Sequence, residues 1–110
     1  MSVDLYLQLQ EKMENLHSLL DELKERGKNK AVSERNYRVA LRKEILKERQ
    51  NGTPVTMLSD VCRGDETVAE LKLARDLAEV MYDTTIEACN GIKLIIRVLE
   101  EQIEREWHKA

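Results

Sequence analysis

The chain has one proline, Pro54, and places it near the middle, directly after Asn51-Gly52-Thr53. On both sides apolar residues recur at steps of three and four, the spacing that keeps side chains on one face of an α-helix. Upstream the stripe reads Leu9, Met13, Leu16, Leu20, Leu23, then Gly27 and Ala31, then Tyr37, Leu41 and Ile45. Downstream it reads Val68, Leu71, Ala74, Ala78, Met81, Thr85, Ala88, Ile92, Ile95, Leu99 and Ile103. Two long stripes around one breaker cover each other by turning back. The pattern therefore predicts an all-α fold, a long antiparallel, coiled-coil-like helical hairpin.

The expected boundaries follow from local chemistry. A helix over about 3–50, with Gly27 as the place for a kink, ends at Asn51-Gly52, where glycine suits a left-handed cap and the residue before Pro54 is pushed out of helical angles. The connection, 51–65, is expected to hold one helical turn with Thr56 as its N-cap and Leu58 and Val61 packed inward. Asp65 caps the next helix, about 66–107, with Glu66 in the first turn, where the helix dipole favours negative charge. The whole chain, 1–110, is read as one domain, the number a length of 110 residues supports.

Equal rise along antiparallel helices, counted from their two ends, sets residues opposite one another when their numbers sum to roughly 117. That register puts Gly27 against Asn90-Gly91, Leu9 near Trp107, Arg38 near Glu79 and Arg42 near Asp76. The second helix also carries Leu73, Leu77, Val80, Leu94, Ile96 and Val98 beside its main stripe, more apolar surface than one partner covers. Covering each such side chain is worth roughly 1.5–3 kcal/mol. A homodimer forming a four-helix bundle, or an obligate partner that replaces the second copy, is the expected solution, with Leu73, Leu77, Val80, Leu94 and Val98 at its interface.

Composition removes several function classes. Formal net charge is −3, so the molecule as a whole is not a polycation. No apolar run approaches the ~18 residues that cross a bilayer, and the start of the chain lacks the basic and apolar blocks of a secretion signal, which predicts a cytoplasmic protein without a membrane partner. Cys62 and Cys89 have no CxxC spacing and read as reduced thiols. Neither has a histidine near enough in the predicted rod to act as a base, and no Glu-x-x-His pair exists for a bundle metal site. Asp76, Glu79, Asp83 and Glu87 read as a solvated acidic strip. No enzyme, cofactor, metal or small-molecule substrate is expected.

Two surfaces remain as binding candidates. The connection is longer than most helix–helix loops, and its Val55, Met57 and Leu58 beside Arg63 make a docking tip for a protein partner. The stretch 24–49 is basic, and Arg35, Arg38, Arg42, Lys43 and Arg49 offer an alternative, sequence-indifferent grip on nucleic acid. The competing explanation for those arginines is ion pairing across the hairpin with Glu79 and Asp76. Trp107 with Tyr6 and Leu5 either closes the open end of the bundle or forms an exposed anchor.

Several segments carry a family resemblance: Tyr37-Arg-Val-Ala-Leu41, Gly52-Thr-Pro-Val-Thr56, Asp60-Val-Cys-Arg-Gly64, Arg75-Asp-Leu-Ala-Glu79 and Glu101-Gln-Ile-Glu-Arg-Glu-Trp107. Over roughly the C-terminal two-thirds the chain resembles small helical proteins encoded by phages and prophages of Gram-positive bacteria. The resemblance implies an accessory role in phage DNA replication or recombination, or in countering host defence, inside the host cytoplasm. It brings no functional residue with it. The expected function is thus non-catalytic protein–protein binding, with direct nucleic-acid binding as the alternative.

Overall fold

The computed structural model describes residues 3–109, and the regular elements within them are three α-helices. Helix α1 spans Val3–Gln50, α2 spans Val55–Arg63 and α3 spans Glu66–Lys109. Helix α1 is helical through Gly27 without interruption.

The turn after α1 is closed by the carbonyls the helix leaves free. The amides of Asn51, Gly52 and Thr53 donate to Lys47, Arg49 and Glu48 at 3.1, 3.2 and 3.0 Å. Gly52 sits at φ +83°, a left-handed conformation that other residues enter only with strain. The Thr53 hydroxyl donates to the Glu48 carboxylate at 2.7 Å.

Pro54, not Thr56, precedes α2, and no side chain caps it. A proline at φ −58° is already set for helix entry, and its carbonyl accepts the Met57 amide at 3.0 Å. Helix α2 runs for nine residues instead of a single turn. Its inward face is Leu58 and the fully buried Cys62, whereas Val61 is exposed: the covered side passes through the position four residues after Leu58 rather than the one three after it. Asp65 caps α3 as expected: its carboxylate accepts the Val68 amide at 3.1 Å.

The chain divides into two compact units, Arg26–Tyr82 and Met1–Glu25 with Asp83–Ala110. In the first, here the hairpin unit, α1 and α3 run antiparallel. Tyr37 and Glu34 meet Arg75, while Lys30 and Gly27, further back along α1, meet Tyr82, further on along α3. The register is therefore displaced by about seven residues from the one counted from helix ends. Gly27 faces Tyr82, not Asn90-Gly91, and nothing lies within 4 Å of a Cβ placed on Gly91. Helix α2 explains the shift. Cys62 feels the charges of Glu44 and Glu48, so α2 lies along the last turns of α1, and α3 first meets α1 further back.

The covered stripes also differ from the most apolar path. In the hairpin unit they include Lys30, Tyr37 and Ala40 on α1 and Val68, Leu71, Arg75, Ala78 and Tyr82 on α3; in the other, here the terminal unit, they include Lys12, Leu16, Leu19 and Leu23 on α1 and Thr85, Cys89, Ile92, Ile96 and Leu99 on α3. Steps of three and four alternate along α3, and the α1 positions, with two steps of seven, keep the same average period of 3.5 that marks a coiled-coil seam. Met13, Leu20, Ala74, Met81, Ala88 and Ile95 consequently point outward, each displaced by a neighbour that the 3.5 period selects. Ile96, expected at the side, is part of the seam.

Candidate nucleic-acid interface

The basic stretch of α1 does not form one surface. Strict helical geometry divides it: Arg38, Arg42 and Arg49 border one groove of the hairpin unit, while Arg35 and Lys43 border another with Asn36, Val39, Ala40 and Leu71.

The first groove encloses about 670 Å³. Arg38, Arg42 and Arg49 come from α1, Arg63 from α2, and Lys72 and Arg75 from α3, with Tyr37, Leu41, Ile45 and Leu46 forming its apolar part and Glu34 as the carboxylate among the lining residues. Six cations from three helices thus converge on one concavity. Arg63, expected at the docking tip, belongs to this set. Lys72 and Arg75 are contributors that sequence reading missed; the signal was the 3.5-residue seam, which puts Arg75 rather than Ala74 toward α1.

Carboxylates neutralise only part of this charge. Glu34 accepts from Arg38 Nε at 2.6 Å and lies 3.5 Å from Arg75 Nε. Asp76 Oδ1 accepts from Arg75 Nε and Nη2 at 3.1 and 3.0 Å, and its other oxygen lies 4.0 Å from Lys72. The hydrogen bond to Asp76 holds the Arg75 guanidinium above its ordinary pKa, so it is charged throughout the accessible pH range. Two carboxylates therefore serve Arg38, Lys72 and Arg75. Among the described residues no ion pair joins Arg42, Arg49 or Arg63 to a carboxylate. The expected cross-hairpin pairs do not form: Arg38 bonds Glu34 on its own helix, and Asp76 is held by Arg75 and Lys72. Glu48, close to Arg49 in sequence, accepts the Thr53 hydroxyl instead.

A second, smaller concavity of about 420 Å³ adjoins the groove through Glu34 and Arg75 and is lined by Gly27, Lys30, Ala31, Glu79 and Tyr82. The Lys30 ammonium lies 4.8 Å from the Tyr82 ring centroid. Here cations and carboxylates are balanced, so it lacks the field of its neighbour.

In α2, Val55 is 83% exposed, Met57 is exposed and Leu58 is half-buried, so the docking tip is divided between solvent and core. Leu73, Leu77 and Val80 in the hairpin unit and Leu94 and Val98 in the terminal unit are all more than half exposed. Trp107 and Tyr6 are exposed and Leu5 is half-buried. Both thiols are free and buried. Burial raises the Cys62 pKa, with Glu44, Glu48 and Asp65 adding to it, which makes this thiol a poor nucleophile at neutral pH. Among the described residues no cluster of three His, Cys, Asp or Glu side chains could hold a metal ion, and no helix is long and apolar enough to cross a membrane. Compared with family models, curated proteins and solved structures, the chain finds no match.

Proposed function

We propose that the chain is a non-catalytic binding protein that holds the phosphate backbone of a nucleic acid in the groove bordered by Arg38, Arg42, Arg49, Arg63, Lys72 and Arg75. The observation that carries this reading is the imbalance of charge: six cations share one concavity, and two carboxylates answer three of them. Pairing across the hairpin was the ordinary explanation for Arg38 and Arg42, and the ion pairs do not follow it. A concave cluster of unpaired cations concentrates positive potential even on a molecule of negative net charge. The phage resemblance, with its implied role in DNA metabolism, accords with this reading. Fluorescence anisotropy with a labelled oligonucleotide tests it. With about four phosphates engaged, log affinity falls against log salt with a slope of about −3 to −4. Arg42→Glu with Arg49→Glu should abolish binding while Arg35→Glu with Lys43→Glu, on the other groove, weakens it far less. No binding at 50 mM salt to either single- or double-stranded DNA overturns the proposal.

A second reading concerns the exposed face of α3. Leu73, Leu77 and Val80 lie about half a turn round the helix from the covered Val68, Leu71, Arg75 and Ala78, so this helix has two apolar faces. We infer that a second copy of the chain covers the outer one. An isologous contact buries the same residues on both copies. In the hairpin unit Met81 joins these three, and in the other unit Leu94, Ile95 and Val98 are exposed likewise, each residue at 42–59%. A standard interface buries ~800 Å² per partner, to which each such exposed apolar side chain contributes. Light scattering should return about twice 12.8 kDa for the native chain and 12.8 kDa for Leu73→Glu with Leu77→Glu. A monomeric native chain at 100 μM defeats this reading.

A further inference from the structure

We infer that the nucleic acid taken by the groove is single-stranded, with its phosphates on the cationic rim and its bases against the apolar floor; this rests on the proposed function above. The rim and the floor differ in chemistry. Arg38, Arg42 and Arg49 succeed one another along α1 at intervals of four and seven residues, roughly 6 and 10 Å of helix rise, and Arg63 and Lys72 stand on α2 and α3. Between them lie Leu41 and Ile45, half-buried, and Leu46, 48% exposed.

A duplex keeps its bases stacked and presents phosphates and sugars outward, so it would meet the rim and leave Leu46 with no apolar match. An unpaired strand turns its bases away from its phosphates and lays their flat, weakly polar faces on the leucine and isoleucine side chains, with guanidinium planes beside them. Size points the same way. A groove of about 670 Å³ is of the order that encloses one drug-sized ligand, room for a base or two but not for a double helix. Glu34, the carboxylate of the groove, is taken up by Arg38 and Arg75 and is not free to accept from a base. Contacts to phosphates carry no sequence information of their own.

The test compares a labelled 12-nucleotide oligothymidylate with a 12-base-pair duplex by anisotropy at one salt concentration, using the native chain and Leu46→Asn. The expected result is at least tenfold tighter binding of the single strand. Leu46→Asn, an exposed and uncharged change, should weaken single-strand binding about fivefold and leave both the duplex affinity and the salt slope unchanged. Duplex binding equal to or tighter than single-strand binding overturns the inference while sustaining the groove as a phosphate site. So does a Leu46→Asn protein that binds the single strand as the native chain does. Failure of both nucleic acids to bind at 50 mM salt removes the parent reading and this one with it.

Discussion

The guanidinium of Arg75 lies 4.5 Å from the ring centroid of Tyr37, and one heptad along each helix the roles are exchanged, with Lys30 of α1 over Tyr82 of α3 at 4.8 Å. The buried Tyr37 ring is thereby covered by a cation that Glu34 and Asp76 orient from the side. A double-mutant cycle with Tyr37→Leu and Arg75→Met should return a coupling of about 0.5–2 kcal/mol in urea unfolding. Additive effects of the two substitutions would show that the pair merely shares a neighbourhood.

Two glycines inside long helices should respond differently to alanine. Glycine costs a helix interior about 1 kcal/mol relative to alanine. At Gly91 an added Cβ meets nothing within 4 Å, so Gly91→Ala should raise stability by about that amount, some 4–8 °C in Tm. At Gly27 the Cβ would stand 3.2 Å from Cε1 of Tyr82, and the ring must yield. Gly27→Ala should therefore trail Gly91→Ala by about 1 kcal/mol. Equal gains would mean that the Tyr82 ring moves aside freely.

The Cys62 thiol links stability to alkaline pH. Burial, then Glu44, Glu48 and Asp65, raise its pKa in the folded chain. A raised folded value gives a stabilising contribution that is complete below the ordinary thiol value of about 8.5 and is lost as pH climbs past it. Urea midpoints of the native chain should fall between pH 7.5 and 10 more steeply than those of Cys62→Ala, whose stability is lower but flatter. Parallel declines would remove Cys62 as the cause.

The start of α3 depends on one carboxylate. Asp65 accepts the amide of Val68, itself buried, and Asp65→Ala should cost about 1 kcal/mol, whereas Asp65→Asn or Asp65→Ser should recover most of it. Chemical denaturation of the three variants separates capping from the charge of Asp65, which the asparagine lacks.

Much of the fold was legible because its strongest signals are local. Gly52 and Asp65 act through their own backbone or a neighbour three residues away, and α1 ends and α3 begins where expected. The α2 interior was less legible, since whether Val61 or Cys62 turns inward depends on which side of α1 covers it. The candidate site was half legible. Arg38, Arg42 and Arg49 stand out in a basic stretch, but Arg63, Lys72 and Arg75 join them only through the pairing of α1 with α2 and α3. Arg75 was obscured by chemistry as well as distance: choosing the most apolar residue at each step selects Ala74 and Met81, whereas the 3.5-residue period selects Arg75 and Tyr82.

A helical seam that repeats every seven residues has a weakness, since apolar contacts alone are satisfied almost as well when one helix slides by a heptad. Counting from the helix ends led to that neighbouring frame. The alternation of Tyr37 with Arg75 and Lys30 with Tyr82 works against the slip in both directions. Slid one way, Lys30 would confront Arg75, two like charges in one layer; slid the other, Tyr37 would meet Tyr82, and both cations would lose their rings. The two pairs act as a parity check on the hairpin, an error-detecting code written in two aromatic rings and two cations that rejects a frame the leucines would accept.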